Sequence, residues 1–185
     1  MMNKALLIID YSNDFIADEG ALSCGKAGQA LDDAIVALIE SFMAADDFIF
    51  VCNDEHSAND AYDPEIALFP PHNLKGSWGA KIYGKTGQLI EKQLIANNDK
   101  FTYLPKTRYS AFFGTTLDAQ LRARNITELT IVGVCTDICV LHTVIDAVYA
   151  GYQVNVAGDC CATIMEHGQE WSLNHMQNCL GVKII

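Results

Sequence analysis

Basic residues are scarce in this chain of 185 residues: 12 Lys and Arg stand against 23 Asp and Glu, for a formal net charge of −11. That balance repels phosphate backbones and anionic lipid, and no local Lys/Arg cluster offsets it, so neither nucleic acid nor a membrane surface is expected as a partner. Long apolar runs are missing too. The opening MMNKALLIIDYSNDF carries a run of only five apolar residues before an acid, far short of a signal-peptide core or a spanning helix. A soluble, cytoplasmic protein is the expectation. No CxxC motif occurs, and seven cysteines, an odd number that includes the adjacent Cys160-Cys161, suit neither a disulfide framework nor a zinc ribbon. The thiols are expected to be reduced. Repeats, low-complexity tracts and linkers are absent. With 50% hydrophobic residues the chain is long enough to bury one substantial core and short for two, so a single domain over residues 1–185 is expected.

Short apolar runs are present at Ala5 to Ile9, Phe48 to Cys52, Phe101 to Leu104, Leu129 to Val134, Val154 to Ala157 and Val182 to Ile185. They are mostly continuous rather than alternating, which suits strands covered on both faces of a parallel sheet. Helical spacing lies between them: Leu31, Ile35, Leu38, Ile39 and Phe42; Leu117 and Leu121; Ile138, Leu141, Ile145 and Val148. A last helix is predicted from about Gln169 to Leu180, with Trp171, His175, Met176 and Cys179 along one side. Alternating strands and helices imply an α/β fold, a three-layer α/β/α sandwich with a mainly parallel, Rossmann-like six-stranded sheet. The stretch from Asp54 to Lys85 breaks the alternation. It lacks periodicity and holds Pro64, Pro70, Pro71, Gly76, Gly79 and Gly84; loops of this length in a compact domain are usually functional.

In an open parallel sheet ligands bind beyond the carboxyl ends of the strands, so polar residues there carry the first functional signal. The run GVCTDICV, residues 133–140, places thiols where a buried strand turns into a helix. Free amides and the helix dipole at such a turn favour a thiolate and can hold an oxyanion. Taken alone, a cysteine there is more often an inert core residue. Strand one ends in Asp10, which reads either as a turn residue or as a proton acceptor for a thiol. Strand three ends in Leu104-Pro105-Lys106, where a lysine can lower a thiol pKa and steady anions. After strand two come Asp54, His56, Glu65 and His72, two imidazoles and two carboxylates within nineteen residues. Histidine and carboxylate together suit zinc, manganese or iron, although acidic loops are common in so negative a chain.

Together these residues resemble the isochorismatase-like cysteine hydrolases and, within them, the nicotinamidases. The likeness runs from Leu6 to about Val182 and is strongest in the opening strand with Asp10 and Phe15, in DEHSANDAYDPEIALFPPHN, in PKTRYSAFFGT and in GVCTDICV. The resemblance implies a catalytic triad of Asp10, Lys106 and Cys139. It also implies an oxyanion hole from the backbone N–H groups of Cys135 and Cys139, and a cis peptide between Val134 and Cys135. Asp54, His56, Glu65 and His72 match its metal positions, implying one divalent ion; zinc ranks first, with manganese or iron as the alternatives that Glu65 introduces where several nicotinamidases have histidine. Phe15, Phe69 and Tyr109 match or adjoin its pocket positions. The implied reaction is hydrolysis of nicotinamide to nicotinate and ammonia through a cysteine thioester, in NAD salvage, by a homo-oligomer. The alternatives are a related cysteine amidohydrolase acting on another small amide, or a non-catalytic ligand-binding member; the metal loop and the filled triad argue against each in turn. Phe42, Phe48, Phe50 and Trp171 are expected in the core, as are Cys24, Cys52, Cys160, Cys161 and Cys179. Trp78 would either wall the pocket or pack under the loop, and His142, His167 and His175 are read as having no metal role.

Overall fold

The computed structural model describes residues 3–185, with Ile66 described by its backbone alone. Six strands form one sheet: β1 (Asn3–Ile9), β2 (Phe48–Asp54), β3 (Phe101–Lys106), β4 (Ile126–Val134), β5 (Gln153–Ala162) and β6 (Lys183–Ile184). Their order is β3-β2-β1-β4-β5-β6 and every pairing is parallel. The apolar runs are continuous because both faces are covered. Along β1, Ala5, Leu7 and Ile9 enter one core cluster while Leu6 and Ile8 enter the other, and all five are fully buried. Such burial is worth roughly 1.5–3 kcal/mol for each Leu or Ile.

One face is covered by α1 (Asn13–Ile16), α2 (Gly25–Gln29), α3 (Asp32–Ala44) and α4 (Gly84–Ile95); the other by α5 (Leu117–Ala123), α6 (Leu141–Tyr149) and α7 (Gly168–Leu180). α3 buries Ile35 and Ile39 with Leu38 and Phe42 half-buried beside them, as the spacing predicts. α4 has no counterpart among the expectations from sequence. It contains Gly84 and Gly87, and its first turn is capped from far away in the chain: the Asp32 carboxylate accepts the amides of Lys85 (2.8 Å) and Thr86 (2.9 Å). α7 forms where predicted but turned about its axis. It buries Ser172 and Met176 and packs Leu173 and Leu180 on the core, leaving Trp171 and Cys179 exposed. Trp171 gains cover instead by stacking on His175, with ring centroids 5.0 Å apart. Trp171 and Cys179 are therefore not core residues. The other six cysteines are buried free thiols, and among the described residues no helix is long and apolar enough to cross a membrane.

The strand order reverses direction between β1 and β4, where chain connections leave to opposite sides and a crevice opens beyond the carboxyl ends. Gly133 lets the two strands meet there. It is paired with Ile9 and has φ +117°, and a Cβ built on it would lie 2.0 Å from the Ile9 carbonyl oxygen. Past this point β5 shifts register, pairing Gly133 with Cys161 after Ile131 with Val156, which prolongs β5 beyond its expected end at Ala157. Gly133→Ala is expected to cost roughly 2–4 kcal/mol through backbone strain and overpacking together. Urea unfolding measures it, and a loss under about 1 kcal/mol, the ordinary mutational effect, would show that the crossing relaxes.

Candidate active site and metal cluster

Three adjacent strands end in charged side chains that meet. β2 and β3 pair Asp54 with Lys106 in register, so both side chains leave the sheet together. From β1 the chain turns sharply at Asp10, φ 52°, whose amide donates to the Cys52 carbonyl at 3.0 Å. Lys106 Nζ then lies 2.7 Å from Asp10 Oδ2 and 2.6 Å from Asp54 Oδ1 and donates to the Arg108 carbonyl at 3.1 Å. Asp10 Oδ1 accepts the Asp54 amide at 2.7 Å. Burial alone would discharge Lys106, yet Asp10 and Asp54 outweigh it and raise its pKa well above the usual lysine value. Asp54 moves the other way: burial would raise it, but Lys106 and His56 together lower it. Asp10 is pushed up to about 7 by burial and the charge of Asp54, against the pull of Lys106.

Cys139 completes this group. Its Sγ and carboxylate oxygens of Asp10 and Asp54 lie within 4.8 Å of one another. The peptide Val134-Cys135 is cis, as the resemblance implies. After it comes a wide π-turn, Thr136–Val140, in which the Cys135 carbonyl accepts the amides of Ile138 (3.1 Å) and Val140 (3.2 Å), the neighbours of Cys139. The turn's amides and dipole act against a larger opposing effect, the burial of the thiol. Burial raises the Cys139 pKa well above its ordinary value, Lys106 offsetting only part of this. Burial thus favours the thiol form of Cys139, beside a carboxylate whose pKa is raised to about 7.

Asp54 belongs to a second group as well: Asp54, His56, Glu65 and His72, all buried, each bring a donor atom within 4.8 Å of the others. His56 Nε2 is 3.6 Å from Asp54 Oδ2 and 4.0 Å from Glu65 Oε2, and His72 Nε2 is 3.6 Å from Glu65 Oε2. Asp54 Oδ2, His56 Nε2 and Glu65 Oε1 are buried without a hydrogen-bond partner. Buried polar atoms seldom stay unpaired. Two imidazoles and two carboxylates with donor atoms this close together, several polar atoms among them unpaired, fit a divalent cation. Sequence reading overlooks one neighbour. Asp63, one acid among several in the loop, is buried with Oδ2 2.6 Å from His56 Nδ1, and only a carboxylate seven residues after a histidine marks it.

Phe15, Phe69 and Tyr109 line the cavity between thiol and cluster, joined by Leu22, Ile138 and Ile164, which sequence offers no reason to select. Phe15 and Phe69 meet the His72 ring edge-on, at 5.4 and 6.2 Å between centroids. The space between these walls is ≈ 20 Å³, about one water molecule, and two of the walls, Phe69 and Tyr109, are half-buried. Trp78 is not among the lining residues. It is half exposed, and its carbonyl accepts from Asn13 Nδ2 at 2.9 Å. His142 is exposed with Nδ1 against the Ile138 carbonyl at 2.7 Å, and His167 is exposed.

Comparison with known proteins matches residues 4–184 to the isochorismatase domain. The isochorismatase family protein PncA of Bacillus subtilis is 44% identical over 183 residues, 99% of each chain. A crystal structure of the nicotinamidase/pyrazinamidase PncA from Bacillus subtilis superposes with a TM-score of 0.95, at 44% identity and 99% coverage of both chains. The nicotinamidase of Escherichia coli K12 is 33% identical, covering 87% of this chain and 84% of its own length. A pyrazinamidase of Pyrococcus horikoshii, solved in complex with zinc, gives a TM-score of 0.85 at 25% identity, over 99% of this chain and 98% of that one. With its parallel sheet, its strand-end thiol and carboxylate, and a domain match along nearly its whole length, the chain belongs to the isochorismatase family.

Proposed function

We propose that this protein is a nicotinamidase, hydrolysing nicotinamide to nicotinate and ammonia through a thioester on Cys139, in NAD salvage. One observation carries the reading: Cys139, grouped with Asp10 and Lys106, lines the same small aromatic-walled cavity as Asp54, Glu65 and His72 of the four-donor cluster. A flat pyridine bearing one amide presents a group to each side. Likeness to the nicotinamidases of Bacillus subtilis and Escherichia coli supports the same substrate.

Cys139 Sγ attacks the amide carbon as its proton passes to Asp10, whose pKa near neutrality suits it to take and return a proton. Backbone N–H groups of Cys135 and Cys139 receive the developing oxyanion. Lys106 stays cationic and holds the Asp10 carboxylate in place. As the C–N bond breaks, Asp10 returns the proton to the departing nitrogen, which leaves as ammonia. Asp10 next takes a proton from the water that attacks the thioester, and nicotinate leaves as the thiol is restored. Phe15, Phe69 and Tyr109 hold the ring and exclude bulk water. Asp54, His56, Glu65 and His72 would hold a divalent ion, which supplies a Lewis acid to anchor the ring nitrogen. Zinc is the proposed ion, in line with the zinc complex of the Pyrococcus horikoshii relative, and Glu65 makes manganese or iron the alternatives.

Purified protein is expected to release ammonia from nicotinamide, and Cys139→Ala to lose at least about a thousandfold in turnover. Cys135→Ala should retain measurable activity, because only its backbone is used. A coupled ammonia assay reads all three, and an active Cys139→Ala enzyme would end the thioester mechanism.

Metal affinity should fall as pH drops. In the metal-free protein burial opposes a charged His56, but Asp54, Asp63 and Glu65 outweigh it and raise its pKa to about 9. His72 is raised too, since Glu65 and the Pro70 carbonyl outweigh its burial. A metal must displace these protons, so affinity weakens from about pH 9 downward, well before the free imidazole range of about 6.5. Zinc titration against a chelator at stepped pH tests this; constant affinity down to about 6.5 would contradict it.

A further inference from the structure

One side chain outside the four-donor cluster is shared by two of its members. Asp63 uses its two carboxylate oxygens differently: Oδ2 sits 2.6 Å from His56 Nδ1, while Oδ1 accepts the Glu65 amide at 2.9 Å. The second bond caps the short 3₁₀ turn Pro64–Ala67, which carries Glu65. Asp63 is 6% exposed, and the cation facing it is Arg108, with Nη1 3.8 Å from Oδ1.

We propose that Asp63 is a positioning residue for the metal cluster, holding His56 in the tautomer protonated at Nδ1 while anchoring the turn that presents Glu65. The inference rests on reading the cluster as a metal site. An ionised carboxylate can only accept hydrogen bonds, so both its partners must donate. The Glu65 amide always does. In the neutral, metal-binding form His56 must then keep its proton on Nδ1, which leaves the Nε2 lone pair free, and Nε2 is the atom that lacks a partner and faces Asp54 and Glu65. His72 receives the same instruction from the backbone, its Nδ1 lying 2.9 Å from the Pro70 carbonyl. Only at His56 is the orienting group a side chain. Asparagine has the shape of aspartate but a single acceptor. If its oxygen caps Glu65, its NH₂ faces Nδ1 and favours the tautomer protonated on Nε2, which blocks the metal. If it flips, the NH₂ meets the Glu65 N–H. Neither orientation serves both partners.

The test uses the full chain and zinc ion, titrated against a chromophoric chelator in wild type, Asp63→Asn and Asp60→Asn. Asp63→Asn is expected to bind zinc about 10–100-fold more weakly, the usual cost of losing such a partner. Asp60→Asn removes the same charge from the same loop and should keep wild-type affinity. Nitrogen-resolved NMR of the zinc-loaded wild type should show a protected Nδ1 proton on His56 that disappears in Asp63→Asn while that of His72 persists. Wild-type zinc affinity in Asp63→Asn, or a zinc-loaded wild type with His56 protonated on Nε2, overturns the proposal, and the second result decides it even if the variant does not fold. Zinc binding without nicotinamide turnover would remove the substrate reading and leave Asp63 in its role; a wild type that binds no zinc would overturn both the metal reading and this one.

Discussion

A single buried ammonium joins the two halves of the site. Lys106 Nζ sits between Asp10 and Asp54, 2.7 and 2.6 Å away, and the side chains of all three are essentially out of solvent. Burying a charge is costly unless it is paired, and taking one partner from a buried pair typically destabilises by about 3–5 kcal/mol. The sheet makes the arrangement possible. Parallel strands end side by side, the Asp54–Lys106 register is set by backbone pairing, and the Asp54 amide is itself bonded to the Asp10 carboxylate. The thiol leans on one end of this bridge and the donor cluster on the other.

Two carboxylates around one lysine acquire opposite characters. Asp54 stays ionised because Lys106 and His56 outweigh its burial, whereas burial and the neighbouring Asp54 charge raise Asp10 to about 7. Environments that push paired groups apart assign their roles: the lowered acid suits a cation, and the raised one can exchange a proton with Cys139. A thiol held protonated by burial therefore needs no preformed thiolate. It needs an acceptor, and the strand order puts one beside it.

The loop carrying His56, Glu65 and His72 has little core of its own, so polar tethers hold it. Asn73 is its main anchor: its Oδ1 accepts the Ser12 hydroxyl at 2.8 Å, its amide donates to Asp14 Oδ2 at 2.7 Å, and its Nδ2 donates to the Asp54 carbonyl at 3.2 Å. A parallel bridge between His56 and Leu74 closes the segment back on itself. Loop and strand ends are thus tied together by hydrogen bonds, which suits a set of donors that must keep their spacing.

Local pattern in the sequence was enough to determine the strands, the helices α3, α5 and α6, and the residues at the strand ends. A continuous apolar run records burial on both faces, and the first polar residue after it records the edge of the sheet. Asp10, Asp54 and Lys106 stand at those edges, and the expectation that they group with Cys139, His56, Glu65 and His72 came from the resemblance to a known family. Tertiary structure alone decided the rest. α4 is capped by Asp32 from another helix, and the face α7 buries is chosen by what packs against it, so that Trp171 lies outside and Met176 inside. Asp63 is distinguished from its acidic neighbours only by lying 2.6 Å from His56. Leu22, Ile138 and Ile164 become pocket walls only when three separate segments converge. The upward shift of the Cys139 pKa is set by burial, which no stretch of sequence carries by itself: a side chain's dielectric surroundings, and hence its proton affinity, depend on distant residues brought together by folding.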